Sequence, residues 1–564
     1  MLTSARHKDL TIFAIMAVLA GCGLIYEYLL SHYAGRVLGS IETVIFSMIG
    51  IMIVSMGIGA FLARYIKCPF TGFAWLELII ALSGVSAILI IGAVFSFVYE
   101  FPTIIADTFR LPPDMVPRGG LVTKGIWFAE HMPYVLGFFL GVMIGAEIPL
   151  IARVRQSLYR ENLEHNTGDI YGIDYIGAGA GAAIWVLFML ALEPTLSAAF
   201  TATANLMVGL VFYILFYEKL KWKELLLIGH VLVSSLVLSV GIYGAKWDAA
   251  MEDLLYRDEV IYRTNTTYQH LVVTKRILDP HKEPAYYFFI NGRTQFSSLD
   301  ERIYHAMLTY PAMAASARHD KILIIGGGDG LGLRDVLRWN PEQVTLLDLD
   351  KSLVNFFSKP LFQDGKAING PLLILNANSL NDPRVDIHYG DAYLLVDDLI
   401  QNENVFDTII VDLPDPSHPD LNKLYSSRFY KKLYRLLSGD GAISVQSTSP
   451  YHAEKAFMSI GKTLQAAGFG TVEQYHHNVP SFGEWGWSIA TRHGRGAKAR
   501  ITALARLPVN DRWSTKGKLL AAFEFSQGYF DDLASIKVNR LGSGQLYRYH
   551  YEAWEKQNSL FPYE

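Results

Sequence analysis

The chain is poor in cysteine and in net charge, and both shortages narrow what it can do. Cys22 and Cys68 are the two cysteines among 564 residues, which gives neither a disulfide framework nor metal-ligand spacing. A formal net charge of −4 is too small to argue for nucleic acid. No basic patch interleaved with aromatic residues, of the kind on which single strands stack, is present. A small-residue cleavage pattern is also missing after the first apolar stretch, so a cleaved signal peptide is not expected.

What is abundant is apolar sequence, at 51% of the residues and a mean hydropathy of +0.23, concentrated in the first half. Apolar stretches run over residues 10–30, 41–62, 75–98, 132–151, 176–192, 196–216 and 225–243. Each is near the ~20 residues needed to cross a bilayer, so seven transmembrane helices are expected. Lys and Arg cluster after the second, fourth and sixth stretches (Arg64, Lys67; Arg153, Arg155, Arg160; Lys219, Lys221, Lys223). By charge alone this puts the N-terminus in the cytoplasm and, with seven spans, the second half outside.

Past Tyr243 the composition becomes that of a soluble domain. "HLVVTKRI" and "AYYFFI", separated by "LDPHKEP", are rich in β-branched and aromatic residues and predict a small antiparallel sheet. From Lys321, apolar strands ("KILII", "QVTLLDL", "VDIHY", "FDTIIVD", "GAISVQS") alternate with helical patterns, which predicts a parallel sheet with helices on both faces. The expected fold class is an α-helical membrane domain, then a small antiparallel β domain, then an α/β Rossmann-like domain of the methyltransferase type. The expected boundaries are 1–250, 251–310 and 311–500, with 501–564 an extension to which no chemistry is assigned.

Two motifs carry chemistry. In "ILIIGGGDGLGLRDVLRW", Gly326, Gly327, Gly328 and Gly330 let the backbone bend off a strand and approach a ligand at a helix N-terminus. Asp348 of "LLDLD" follows about 20 residues on, placed for a ribose hydroxyl pair. Asp329 sets this turn apart from a dinucleotide turn, since a carboxylate there would repel a pyrophosphate and favours a cationic group beside the nucleoside. In "IIVDLPDPSHPD", Pro414, Pro416 and Pro419 exclude helix or central strand and make a rigid loop. That loop holds Asp412, Asp415 and Asp420 where a strand emerges.

Residues 264–500 resemble the spermidine synthase (polyamine aminopropyltransferase) family, membrane-spanning bacterial type. The resemblance is carried by "TTYQHLVV", "NGRTQFSSLDERIYHAML", "GGGDGLGLRD", "LLDLD", "GDA", "IIVDLPDP" and "VQSTSP", in the family's order and approximate spacing. It implies transfer of an aminopropyl group from decarboxylated S-adenosylmethionine to an amine such as putrescine, releasing 5'-methylthioadenosine and a proton. The donor is then a co-substrate, and neither cofactor nor metal is expected.

By family position, Asp412 is the catalytic acceptor of the amine's proton or hydrogen bond, and Asp415 and Gln446 help hold the amine. Gln269, Tyr304 and His305 contact the aminopropyl donor and the amine. Asp348 takes the ribose and Asp391 the adenine, while Gly326, Gly328 and Gly330 form the donor turn. Asp329 holds the terminal ammonium of the aminopropyl arm and repels the carboxylate of ordinary S-adenosylmethionine. Gln295 lies in the segment resembling "DGxxQ". Each has a plainer reading: Tyr304 and His305 as a packed helix face, Gln446 satisfying a strand end, Asp412 and Asp415 as loop caps, Asp420 as a solvated turn residue. This sequence departs from the family at Asn291, where "DGxxQ" has an acid, at Ala306 after "YH", and at Phe482, near an expected tyrosine. All three touch the amine end of the pocket.

Two other classes compete with a membrane-tethered transferase: a transporter or sensor with a non-catalytic synthase-like domain, and an S-adenosylmethionine-dependent methyltransferase. Glu27, Glu42, Glu77, Glu147 and Asp174 lie in or beside apolar stretches, where an ionisable group is costly and often functional. They are read as helix-end or paired groups, with a polyamine or proton path as the alternative. Gly177, Gly179 and Gly181 are read as close helix contacts. The expected partners are the donor, putrescine or another polyamine and the lipid bilayer, with no nucleic acid; self-association into a homo-oligomer is left open. A donor made in the cytosol opposes the charge count, and the expectation adopted is a multi-pass cell-membrane protein with its catalytic domain in the cytoplasm.

Overall fold

The computed structural model describes residues 2–38, 41–110, 119–158, 163–256, 258–363, 365–509, 511 and 513–560. The chain falls into two compact units that divide between Glu259 and Val260.

In the first unit, the seven apolar stretches form α1 (Leu2–Leu38), α2 (Ile41–Leu62), α3 (Pro69–Thr108), α4 (Leu121–Leu158), α5 (Leu163–Leu187), α6 (Pro194–Leu215) and α7 (Lys223–Asp253). All seven are long and apolar enough to cross a membrane. Large apolar side chains such as Phe46, Phe61, Ile176 and Leu232 point outward. Two of the α5 glycines are close contacts: a Cβ on Gly177 or Gly181 would overlap the α1 backbone at Ala17 or Gly21, whereas one on Gly179 meets nothing. Glu27, Glu77 and Glu147 are buried within helices, not at their ends. Glu77 Oε2 accepts from Asn205 Nδ2 at 2.9 Å, and among the described residues neither Glu77 nor Glu147 has an ion-pair partner. The side chain of Glu42 lies outside the described residues.

The second unit opens with a four-stranded antiparallel sheet in the order β1 (Glu259–Asn265), β2 (His270–Arg276), β3 (Ala285–Ile290), β4 (Arg293–Ser297). Asn291 and Gly292 close the β3–β4 hairpin with φ of 50° and 75°. Two successive positive φ values make the primed turn whose twist matches the strands, and Asn-Gly suits it.

There follow α8 (Glu301–Ala315), β5 (Lys321–Gly326), α9 (Leu331–Leu337), β6 (Gln343–Asp348), α10 (Lys351–Ser358), a short hairpin β7 (Phe362–Gln363) and β8 (Lys366–Ala367), and α11 (Gly370–Leu375). The chain continues through β9 (Val385–Tyr389), α12 (Ala392–Gln401), β10 (Phe406–Asp412), α13 (Ser427–Leu436), β11 (Leu437–Gln446), α14 (Glu454–Ala466), β12 (Thr471–Val479) and β13 (Gly483–Thr491). It ends in α15 (Ala497–Ala503), α16 (Lys516–Ala521) and α17 (Gln545–Leu560).

The large sheet runs β12-β13-β11-β10-β5-β6-β9. Strands β11, β10, β5, β6 and β9 are parallel, and β13 and β12 are added antiparallel at one edge. Every residue of β10 before Asp412 is buried, as are Ile322 to Ile325 of β5, which is why these strands read as continuous apolar runs and not as alternation. The register sets Asp412 beside Gly326 and Asp348 beside Tyr389. The carboxyl ends of the parallel strands therefore finish together, where ligands bind in open α/β sheets.

Candidate active site

The glycine turn lies between two carboxylates. Gly326 (φ 82°) and Gly327 (φ 66°) turn the chain off β5, in the left-handed region that glycine reaches without strain. A Cβ on Gly326 would overlap the carbonyl of Asp412; one on Gly327 would sit 3.1 Å from Asp412 Oδ2, and one on Gly328 2.6 Å from Asp348 Oδ2. Gly330 (φ 76°) precedes α9. Asp329 is half-buried, and its Oδ1 accepts from the Leu331 amide at 2.8 Å. Burial raises its pKa, against the pull of the nearby His305.

Asp412 ends β10 half-buried, with Oδ1 accepting from the Tyr304 hydroxyl at 2.8 Å. Burial raises its pKa to about 6; His305 and the Tyr304 hydrogen bond hold it down while Asp329 pushes it up. Tyr304 and His305 come from the first turns of α8, a helix buried on nearly every side. Burial alone would lower the His305 pKa, but hydrogen bonding to Glu301, with Asp329 and Asp412 close by, raises it to about 9. His305 Nδ1 lies 3.0 Å from Glu301 Oε2. Glu301 in turn takes both guanidinium ends of Arg334, at 2.8 and 3.0 Å, and Arg334 also donates to Asp335 at 3.0 Å. Beside Asp412 the fold thus places the His305 ring, held by a buried Arg–Glu pair.

On the other side of the turn, Asp348 Oδ1 accepts from the Asp350 amide at 2.8 Å. Burial raises its pKa to about 7, the direction expected when a carboxylate is removed from water with few donors around it. Gln269 is not free: its Nε2 donates to Asp350 Oδ2 at 3.0 Å, as does the Thr266 hydroxyl at 2.6 Å, while Asp350 Oδ1 caps α10. The "YQ" segment is therefore tied to the Asp348 side of the turn through Asp350. Asp391 caps α12 through the Tyr393 amide at 3.0 Å and pairs with Lys423 at 2.6 Å.

In the proline loop, Asp415 Oδ1 accepts from Gln446 Nε2 at 2.7 Å. Gln446 is buried at the end of β11, and its Oε1 accepts from the Tyr425 hydroxyl at 3.2 Å. That hydroxyl also donates to the Pro414 carbonyl at 2.9 Å. The loop is held from inside by a tyrosine as well as stiffened by proline. Asp420 is exposed in a 3-10 turn over Pro419–Lys423.

The three departures from the family pattern have local accounts. Asn291 accepts from the His270 amide at 2.9 Å and serves the hairpin turn, where Asn and Asp are both accepted. Ala306 is buried in the apolar core. Phe482 packs edge-on against Tyr304 with ring centroids 5.8 Å apart. Gln295 donates to the Arg293 carbonyl at 3.2 Å. Sequence reasoning passed over Glu301, Arg334 and Tyr425. The four-residue spacing of Glu301 and His305 on one helix was a usable signal; nothing local marks the other two.

Residues 301–500 match the family model described as the spermine/spermidine synthase domain. Along almost its whole length the chain is similar to the polyamine aminopropyltransferase of Shewanella oneidensis, at 57% identity over 98% of this chain and 96% of that one. It is also similar to polyamine aminopropyltransferase 1 of Streptomyces coelicolor, at 32% identity over 90% and 88%. A crystal structure of spermidine synthase with the transition-state analogue AdoDATO covers 49% of this chain and 88% of its own at 22% identity and a TM-score of 0.41. Similarity at this level to relatives spanning both units extends well beyond the motifs at the carboxyl edge of the sheet, and by it the chain belongs to the polyamine aminopropyltransferase family of enzymes.

Proposed function

We propose that the second unit transfers the aminopropyl group of decarboxylated S-adenosylmethionine to an amine acceptor, putrescine being the first candidate, and releases 5'-methylthioadenosine and a proton. The observation that carries this reading is Asp412: a half-buried carboxylate with a pKa of about 6, fixed by Tyr304, beside the glycine turn that leads to Asp348.

The electrophile is a methylene next to a sulfonium, already activated, so the reaction calls for no metal, cofactor or covalent enzyme intermediate. What is needed is orientation and a neutral amine, because a primary amine with a pKa near ~10 is almost wholly protonated at neutral pH. In this reading Asp348 binds the ribose, Asp391 lies toward the adenine and Asp329 meets the ammonium of the aminopropyl arm. Asp415, steadied by Gln446, holds the acceptor. Asp412 takes the proton as the amine nitrogen bonds to the methylene and the carbon–sulfur bond breaks; neutral thioether leaves. The imidazolium of His305 keeps Asp412 ionised and ready to accept.

The seven helices of the first unit, in this proposal, anchor the enzyme in the cell membrane with the catalytic unit in the cytoplasm, where the donor is made. Long C-terminal domains weaken the charge rule that argues otherwise. Purified protein incubated with the donor and a panel of di- and polyamines should release methylthioadenosine, and Asp412→Asn should lower the rate by about 10²- to 10⁴-fold while still binding donor. Tight donor binding with no release for any amine would overturn the reading. A reporter fused after Glu564 that is active only outside the cell would overturn the orientation.

A further inference from the structure

The family model ends at residue 500, yet the chain beyond it is built into the proline loop's support. Asn539, fully buried, donates through Nδ2 to the carbonyls of Asn422 and Tyr425 at 3.3 and 3.1 Å. Its own carbonyl accepts from the Ser427 amide at 2.9 Å. This brackets the stretch carrying Tyr425, whose hydroxyl holds Pro414 and Gln446. Leu546 then enters the same core as Leu413, Leu424 and Tyr425 and fixes the first turn of α17. One turn on, His550 is 2% exposed, and its Nε2 lies 3.5 Å from Asp415 Oδ2.

Asp415 is thus approached at both oxygens: Oδ1 accepts from Gln446 Nε2 at 2.7 Å, and Oδ2 lies 3.5 Å from His550 Nε2. Burial of a histidine is costly unless partners compensate it, and one of the groups His550 meets is the proline-loop acid Asp415.

We propose that α17 completes the amine-acceptor site, with His550 as a positioning residue that fixes the Asp415 carboxylate to receive the distal ammonium of a di- or polyamine. This rests on the transferase reading above. The terminal segment is in that case a determinant of acceptor recognition and has no part in donor binding.

The test is made on the purified full-length chain in lipid nanodiscs, with putrescine and longer polyamines as acceptors. His550→Phe keeps a flat ring and removes the N–H; His550→Gln restores an N–H at similar reach. Loss of this polar contact with the Asp415 carboxylate should raise the acceptor KM about tenfold in His550→Phe, with donor KM, kcat and thermal stability unchanged, and His550→Gln should recover most of it. An unchanged or lowered acceptor KM in His550→Phe overturns the proposal. So does a loss shared equally by the two variants and by donor KM, which is the signature of packing alone. A wild-type chain that turns over no amine defeats the transferase reading, and calorimetric amine binding then judges His550 by itself: equal affinity in wild type and His550→Phe overturns the proposal there too.

Discussion

The Tyr304 hydroxyl donates to Asp412 Oδ1 at 2.8 Å, joining the buried helix α8 to the end of β10. This hydrogen bond favours the ionised carboxylate and is one of the forces that lower the Asp412 pKa against burial. Only the ionised form accepts a proton, so kcat/KM should fall as pH drops through about 6. In Tyr304→Phe the lowering influence is lost, the Asp412 pKa rises, and the acid limb moves to higher pH by about one unit. The pH profile of kcat/KM for the two proteins checks this, and an acid limb that stays in place would detach Tyr304 from the proton-accepting step.

Glu301 is shared by Arg334 and His305, all three buried. Removing one partner of a buried pair leaves an uncompensated charge, so Glu301→Ala should destabilise the second unit by about 3–5 kcal/mol. The pH dependence has a definite sign. The folded His305 pKa of about 9 lies above its unfolded value of about 6.5. The stability it contributes is therefore full below the unfolded value and lost as pH rises through about 9. Melting curves at pH 7 and pH 10 should show a drop in wild type that is much smaller in Glu301→Ala.

The layout of the second unit could be read because parallel strands covered on both faces write themselves as apolar runs, and because a glycine turn and a proline-stiffened loop leave local marks. Asp412, Asp348 and Gly326 were found by such marks, and the register then brings them to one edge. Asp391 also carried a local signal, since an acid just before a helical pattern is an N-cap. Gln269 to Asp350 was not readable: the two are 81 residues apart, and no periodicity links a loop in the small sheet to a helix cap in the large one. The same holds for Arg334 with Glu301 and for Asn539 with Tyr425, 114 residues apart. Polar contacts between distant segments depend on the finished packing, and for that reason residues 501–564 carried no legible chemistry.

A methyl group at Gly328 would sit 2.6 Å from Asp348 Oδ2, too close to stay without moving that carboxylate. Asp348 is the proposed ribose contact, and hydrogen bonds to a charged group contribute about 1.5–3 kcal/mol, so Gly328→Ala should raise donor KM about ten- to a hundredfold. Acceptor KM should be unchanged, since Asp415 and Gln446 stand on other strands and loops. Kinetics with each substrate varied separately decide it; equal effects on both KM values would mean that the whole turn had shifted.

In the first unit the α5 glycines offer a comparison within one helix. Gly177 and Gly181 face Ala17 and Gly21 of α1 so closely that a Cβ would overlap backbone, whereas Gly179, between them in sequence, faces open space. Small residues let helix backbones approach closely, and overfilling a packed contact costs about 1–3 kcal/mol. Gly177→Ala and Gly181→Ala should each lower the thermal stability of the detergent-solubilised chain, and the double variant should do so more than either. Gly179→Ala should leave it unchanged, or slightly raised through better helix propensity. Equal losses at all three positions would show that helix propensity and lipid contact, not the α1–α5 contact, set the requirement for glycine.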